Sequence, residues 1–408
     1  MPKLTINNRK VEFNPGQTII EAAKNAGIDI PNFCWHPGLS TSGNCRICLI
    51  EIKNNPKLVI ACSTAAEEGM VVFTKSEKVI KARDAVMEFL LINHPLDCPI
   101  CDEAGECELQ DYAYKYGSGK SRFDEEKVHA KKRIEIGPNV ILDQERCIKC
   151  SRCIRFCDEI AKDPQLTFIN RGEKVVVQTF PGKELDNPYS MNVVEVCPVG
   201  ALTSKHFRFK SRVWEMSFTD TIYPGCARGC NTIMGVKNNE ILRIEPRENL
   251  NVNDYWLCDW GRLNSYTLVN DKEKRIRTPC IKIHEDNEDS SSLVEVDWEE
   301  AISIAASKLI NREKDILFIA SPFSTLEDNY VFEKFANEVF KSSNIFYNPN
   351  IEEGFGDDLL RKSDKTPNSN GLKLLGINPL EKKCIEDLKN GKYKIVYVIN
   401  DDPTRVKE

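Results

Sequence analysis

The sequence predicts an α+β chain built from several small domains, and three observations carry that prediction. Short strand signals flank a helix in the first sixty residues, cysteines recur in ordered loops from residue 34 to residue 258, and helices alternate with apolar strands from Val294 onward. A length of 408 residues leaves room for about three domains of ordinary size. Apolar residues make up 41% and charged residues 29%, which suits several small cores rather than one large one. The net charge of −6 is spread along the chain, so no basic footprint for nucleic acid is present. The N-terminus carries no apolar signal-like stretch, and no run of about 18 apolar residues occurs, so the sequence reads as soluble and not secreted by the usual signal. Seventeen cysteines, an odd number, fit metal ligation in a reducing compartment better than a disulfide framework.

Taken in order, residues 4–13 alternate apolar and polar around Asn7-Asn8, a hairpin signal. Thr18 to Ala26 reads as a helix with Gly27 past its end. Next comes Cys34-x10-Cys45-x2-Cys48-x13-Cys62, threaded by strand-like Ile47–Ile52 and Leu58–Ala61. Gly38 and Gly43 lie where the backbone must wrap closely around something. Three clustered cysteines plus a distant one suit a 2Fe–2S cluster held by four thiolates, although the first gap exceeds the plant-type spacing. Zinc is the rival metal, but it usually takes two close cysteine pairs, and only Cys45 and Cys48 form one. Inert buried thiols are the third reading.

Ser76 to Asn93 has helical periodicity, with Val79, Val86 and Leu90 on one stripe and Ile80, Met87 and Leu91 beside it. Pro95 disfavours helix at the residue before it, so the helix ends by delivering His94 into His94-x3-Cys98-x2-Cys101-x5-Cys107. A lone histidine is more often a structural hydrogen-bonder. Here three cysteines lack a fourth thiol beside it, and a 4Fe–4S cluster with three thiolates and one imidazole is the expectation. Neutral imidazole leaves one negative charge fewer than an all-thiolate set, which in Rieske centres accompanies a raised potential. Residues 118–135 form a charged linker whose Lys131-Lys132-Arg133 triplet is expected to face solvent.

Cys147-x2-Cys150-x2-Cys153-x3-Cys157 resembles the run of two-cluster bacterial ferredoxins, but its partner run has shrunk to Cys197-Pro198. Cys147, Cys150, Cys153 and Cys197 are therefore expected to hold one 4Fe–4S cluster, with Cys157 left as a packed thiol. Cys226-x3-Cys230 and Cys258 look like a further 4Fe–4S loop that is one thiolate short, since Tyr223 stands where a first ligand belongs. A vestigial or thiol-lined loop is expected there. From Val294, an Asp297/Glu300 capping box precedes helix Trp298–Ile310. Strand Ile316–Ala320, helix Thr325–Phe340 and strands Asn344–Tyr347 and Ile395–Ile399 follow, as βαβ units on a parallel sheet. Gly354-Phe355-Gly356 is not a dinucleotide fingerprint, because Leu359 occupies the last glycine position. A doubly wound domain would continue past Asp401-Asp402-Pro403, so the copy reads as short or incomplete.

With these loops in view the chain resembles the large iron–sulfur subunit of proton-pumping NADH:quinone oxidoreductase, respiratory complex I. The resemblance is most specific over residues 30–202, where the four spacings recur in order. It implies an N-terminal β-grasp 2Fe–2S ferredoxin-type domain over 1–78 and a His(Cys)3-ligated 4Fe–4S domain over 79–118. A linker and ferredoxin-like 4Fe–4S domain over 119–214 would follow. Residues 215–271 would be a 4Fe–4S domain of the molybdopterin-enzyme type whose cluster is lost, and 272–408 a partial molybdopterin-oxidoreductase-like α/β domain without molybdenum. The family further implies electron relay from NADH toward quinone, with no catalytic residue on this chain. Implied partners are the NADH/FMN-binding flavoprotein subunit, the small 2Fe–2S subunit and the quinone-module subunits. Nucleic acid would not bind, and the membrane would be met only through the complex. The implied location is peripheral, on the cytoplasmic side of the bacterial inner membrane or the mitochondrial matrix side.

The rivals are catalytic chains with a similar front end. An NAD-linked formate dehydrogenase would need a molybdenum ligand, for which Cys280 and Cys384 are the candidates, and neither sits in a supporting motif. The electron-wire subunit of an NAD(P)-linked hydrogenase would need the same cluster ligands. An iron-only hydrogenase would need further C-terminal cysteine motifs, which are absent. A zinc-bound scaffold would carry zinc in place of labile sulfide.

Overall fold

Asn7 and Asn8 both adopt left-handed backbone, φ 49° and 68°, which closes a two-residue hairpin between β1 (Lys3–Ile6) and β2 (Arg9–Glu12) in the register Ile6 to Arg9. The computed structural model describes residues 1–264, 266–273, 276–284, 291–312 and 315–402. It divides into two compact units. The first comprises Met1–Thr219, Met234–Glu245 and Asp254–Asp259, and the second Asp220–Ile233, Pro246–Asn253 and Trp260–Glu408.

In the first unit the hairpin joins β3 (Leu49–Ile52), β4 (Val59–Ile60) and β5 (Val71–Phe73) in a five-stranded sheet of order β2-β1-β5-β3-β4. The β1–β5 pairing is parallel and the others are antiparallel. Helix α1 (Ile19–Asn25), started by a Thr18/Glu21 capping box, buries Ile19, Ile20, Ala22 and Ala23 against Leu4, Ile6, Val11, Ile50 and Val72 of that sheet. This mixed sheet under one helix is the expected ferredoxin-type front domain.

Helix α2 (Glu77–Leu91) is capped by Ser76, whose Oγ accepts from Val79 N. Most of the expected stripe faces inward, with Val79 and Met87 buried and Val86, Leu90 and Leu91 packed against the core, but Arg83 is buried too and Ile80 is 56% exposed. An arginine can occupy the inner face because Nη1 and Nη2 donate to Thr74 O at 3.1 Å and Leu49 O at 3.0 Å. The linker is less free than its composition suggests. Lys127 Nζ donates to the last carbonyls of α2, Leu91 O and Ile92 O. Lys132 pairs with Asp97 at 2.6 Å and with the buried carboxylate of Glu145 at 2.7 Å. The basic triplet is exposed, as expected, although two acidic side chains pin its middle residue.

Helix α3 (Glu108–Tyr116) follows the His94 loop, and β6 (Ile134–Glu135) and β7 (Val140–Leu142) follow the linker. The cysteine run connects β7 to α4 (Arg152–Arg155), which continues into a wider turn over Phe156–Ile160. A separate hairpin, β8 (Leu166–Ile169) and β9 (Val176–Thr179), precedes α5 (Asn192–Glu195) and β10 (Leu202–Ser204), and β10 pairs with β7.

In the second unit Ile316–Ala320, Ile345–Tyr347, Asn378–Pro379 and Ile395–Val398 form an all-parallel sheet around the aromatic core of Phe318, Phe332, Phe340 and Tyr347. Asp297 caps the helix Trp298–Leu309 through Glu300 N, as expected. The expected helix Thr325–Phe340 is α-helical over Leu326–Lys334 and continues in wider turns over Phe335–Val339. Of Asp401-Asp402-Pro403, past which a doubly wound domain is expected to continue, Pro403 lies outside the described residues. Among the described residues, no helix is long and apolar enough to cross a membrane.

Candidate metal centres

Three donor sets lie close together in the first unit, two of them around cavities. Cys34 lies within hydrogen-bonding reach of Cys45 and Cys62, and Cys62 within reach of Cys48. Donation from Cys45 and Cys62 draws the Cys34 thiol far below its ordinary range and pushes the two donors up. Arg46, between two of these cysteines, holds φ 63°, a left-handed conformation that turns the loop around its own centre.

His94, Cys98, Cys101 and Cys107 line one cavity, together with Asp97, Arg146 and Gly200. Helix α2 ends at Leu91 and delivers the histidine; α3 begins at Glu108, directly after the last cysteine. Burial, then the cations Arg146 and Lys127, pull His94 down to about 4, so its ring is neutral near pH 7 and keeps a lone pair for a metal. Burial pushes Cys107 up to about 12 and raises Cys101 as well, whereas Cys98 is exposed.

Cys147, Cys150, Cys153 and Cys197 line a second cavity whose other walls include Leu142, Val177 and Val199. Lys149 and Ser151 hold φ 58° and 65° between the cysteines. Such left-handed residues turn backbone N–H groups inward as an anion-holding nest, and Lys149 N lies 3.4 Å from Cys147 Sγ. Burial pushes Cys147 up to about 12 and raises the other three thiols. A metal must displace those protons to be bound, and an iron–sulfur group takes its cysteines as thiolates. Cys157 is fully buried on the wider turn and is not among the residues lining this cavity. Among the described residues, no three His, Cys, Asp or Glu donors converge on a single point; the donors ring cavities instead. Soft donors ringing two cavities, one of them apolar-walled with Lys149 N close to a sulfur, fit polynuclear iron–sulfur groups.

The order of the sites in space differs from their order in sequence. Asn44 Nδ2 donates to Lys149 O at 3.1 Å, Ser151 Oγ lies 3.3 Å from Ser42 Oγ, and Arg155 donates to Cys34 O and Ser40 O. These contacts join the first loop to the 147–153 loop. On the other side Cys107 Sγ lies 3.9 Å from Pro198 O, and a Cβ on Gly200 would stand 2.3 Å from Cys101 Sγ. The Cys147–Cys197 site is therefore the middle one. Spacing alone carries no signal for this order, nor for Gly200 and Arg146.

Cys226 and Cys230 are buried in the second unit, and Cys258 is buried at the end of a segment of the first. Tyr223 is buried too; its N–H donates to Cys230 O at 2.8 Å, and its phenol packs over Gly225. Cys280 is exposed at the start of the hairpin strand Cys280–His284, and Cys384 is buried on the helix Lys382–Lys389.

Family models match nearly the whole chain in sequence. Residues 2–77 match a 2Fe-2S iron-sulfur cluster binding domain, 83–122 the NADH-ubiquinone oxidoreductase-G iron-sulfur binding region, and 137–203 the ferredoxin-like domain of NADH-quinone oxidoreductase subunit 3. Residues 219–265 match an NDSU1/NuoG-like 4Fe-4S domain and 275–403 molybdopterin oxidoreductase. The chain carries 2Fe–2S and 4Fe–4S binding domains in the expected order, followed by a molybdopterin-oxidoreductase region. Among relatives, the G-type subunit of NADH-quinone oxidoreductase from Rickettsia conorii is 40% identical over 82% of this chain and 48% of that protein. The NADH-ubiquinone oxidoreductase 75 kDa subunit of Reclinomonas americana is 39% identical over 84% and 48%, and the mitochondrial 78 kDa subunit of Candida albicans 40% over 75% and 41%. A crystal structure of an NAD+-reducing [NiFe]-hydrogenase is 31% identical, covering 52% of this chain and 91% of that one with a TM-score of 0.48. The chain spans about half the length of the curated relatives it matches. Over that stretch the chain belongs to the family of G-type NADH-quinone oxidoreductase subunits, which includes the 75 kDa and 78 kDa subunits of NADH-ubiquinone oxidoreductase.

Proposed function

We propose that this chain is an electron-transfer subunit of a proton-translocating NADH:quinone oxidoreductase. Cys34, Cys45, Cys48 and Cys62 would hold a 2Fe–2S cluster. His94, Cys98, Cys101 and Cys107 would hold one 4Fe–4S cluster, and Cys147, Cys150, Cys153 and Cys197 a second. The observation that carries this reading is that each 4Fe–4S set lines one cavity and that the loop after Cys197 reaches both. When bound, such groups take up and release single electrons without bond making.

The chain's own residues fix the positions of the sites, exclude water from them and set their charge. The apolar walls around the middle site keep its surroundings dry, which strengthens every charge interaction there. Exposed Cys98, with Leu96 and Ile100 largely exposed beside it, makes the His94 site the one open to a neighbouring subunit. Electrons would arrive from the NADH/FMN-binding flavoprotein and leave toward the quinone module, with the chain held peripherally on the cytoplasmic or matrix side. Molybdenum has no place in this reading, since exposed Cys280 and helix-borne Cys384 lie in separate settings. Cys226, Cys230 and Cys258 complete no four-thiolate set, and no cluster is assigned to them.

Iron and acid-labile sulfide on the anaerobically prepared protein test this. The expectation is about ten irons per chain with matching sulfide, one 2Fe–2S and two 4Fe–4S signals in the reduced sample by low-temperature EPR. About fourteen irons would return a cluster to the Cys226 loop. Zinc with little sulfide would defeat the reading.

A further inference from the structure

Arg146 immediately precedes the first cysteine of the middle site, yet its side chain belongs to the next one. Arg146 lines the cavity ringed by His94, Cys98, Cys101 and Cys107, as well as a neighbouring one shared with Asp97, Asp143 and Arg208, and it is only 4% exposed. Two carboxylates orient the fork: Nη2 donates to Asp97 Oδ2 at 3.1 Å, and Nε lies 3.5 Å from Asp143 Oδ2. Nη1 is buried and, like Nε, has no hydrogen-bond partner among the described residues, though Nε has the Asp143 carboxylate beside it. A buried, charged N–H without an acceptor is costly, so the fold must gain something from holding it there.

We propose that Arg146 is a tuning residue of the His94 site, with Nη1 donating into the sulfur shell of the group bound there and stabilising its reduced state. The inference rests on the ligand assignment above. Reduction adds one negative charge to the site. A fixed buried cation and a hydrogen bond to sulfur both favour that charge, and they are the levers by which proteins raise a cluster's potential. A purely structural role, tying the Asp97 loop to Asp143, would use Nη2 and Nε and leave Nη1 without purpose. Arg146 would also join consecutive sites, with its backbone beside Cys147 and its charge beside Cys101.

The test is an EPR-monitored redox titration of the chain in its intact complex. Arg146→Gln, which keeps a donor but removes the charge, is expected to weaken reduction of the His94 site by about tenfold, about 59 mV for one electron. Arg146→Lys should recover at least half of that shift, and the signals of the other two sites should hold their midpoints. A loaded Gln variant with the wild-type midpoint overturns the proposal. Should the Gln variant fail to load, pulsed EPR on wild type carrying guanidino-15N arginine decides. A 15N coupling to the reduced His94 site, lost in Arg146→Lys, supports the proposal, and its absence from wild type refutes it. Wild type with about six irons and no His94-site signal would remove the site itself, defeating the ligand assignment together with the proposal.

Discussion

Gly200→Ala should evict the His94-site group and leave the other two in place. Gly200 sits three residues after Cys197, and its φ lies outside the left-handed region, so an alanine there meets no backbone strain. The obstacle is space alone. An added Cβ would stand 2.3 Å from Cys101 Sγ and 3.0 Å from Glu103 Cβ. Ordinary contact between such atoms is roughly 3.5 Å or more, so the sulfur must retreat by about 1.2 Å. Overpacking of this kind costs about 1–3 kcal/mol. The sulfur of Cys101 sits one bond beyond its Cβ and has only the three staggered wells of a single torsion in which to move aside. Metal analysis should fall from about ten irons toward six, with loss of one 4Fe–4S signal and retention of the other two signals. Full loading with an unchanged spectrum would refute the reasoning, since it would mean that Cys101 is not a ligand or that the loop gives way freely.

Two further perturbations read other parts of the structure. His94→Cys should keep four irons at its site but move the midpoint downward in a redox titration, because a thiolate replaces a neutral ring and adds one negative charge; an upward shift would contradict the assignment of His94 as a ligand. Arg83→Met should fill much the same volume while leaving Thr74 O and Leu49 O without their donor, costing about 1–3 kcal/mol in urea-induced unfolding of the intact chain; an unchanged midpoint of unfolding would show that water reaches those carbonyls.

Much of this architecture is legible in the order of residues. Asn7-Asn8 fixes a hairpin because both positions need positive φ, and Pro95 ends a helix because of its own ring. Cysteine spacings suggest ligand sets because donors must close on one group through short loops. What escapes such reading depends on contacts between segments distant in sequence. Arg83 reads as a solvent-facing charge in a helical stripe until the sheet supplies two carbonyls to receive it. Lys132 reads as a solvated face until Glu145 and Asp97 arrive from either side. Gly200 looks like part of a generic turn, and only the position of Cys101 shows why a side chain is excluded there. Tyr223 is legible as a departure in spacing, while its packing over Gly225 is not.

The interleaved order of the sites has a physical consequence. The loop from Cys197 to Gly200 lines the middle cavity with a thiol at its start and walls the His94 cavity at its end. Arg146 and Cys147 repeat the arrangement with adjacent residues, one reaching the His94 cavity and the other the middle one. Two short segments thus span both cavities, and the distance between the two groups is set by backbone that cannot stretch rather than by the docking of independent domains. Electron transfer over a fixed gap requires that the gap not fluctuate, and a covalent tether of four residues holds it more tightly than a side-chain interface could. The same economy makes the sites interdependent. A change that displaces the Cys197 loop should disturb both 4Fe–4S groups, whereas one confined to the 34–62 loop should leave both intact, because the contacts between that loop and the middle site run through Asn44, Ser42 and backbone carbonyls rather than through a shared ligand segment.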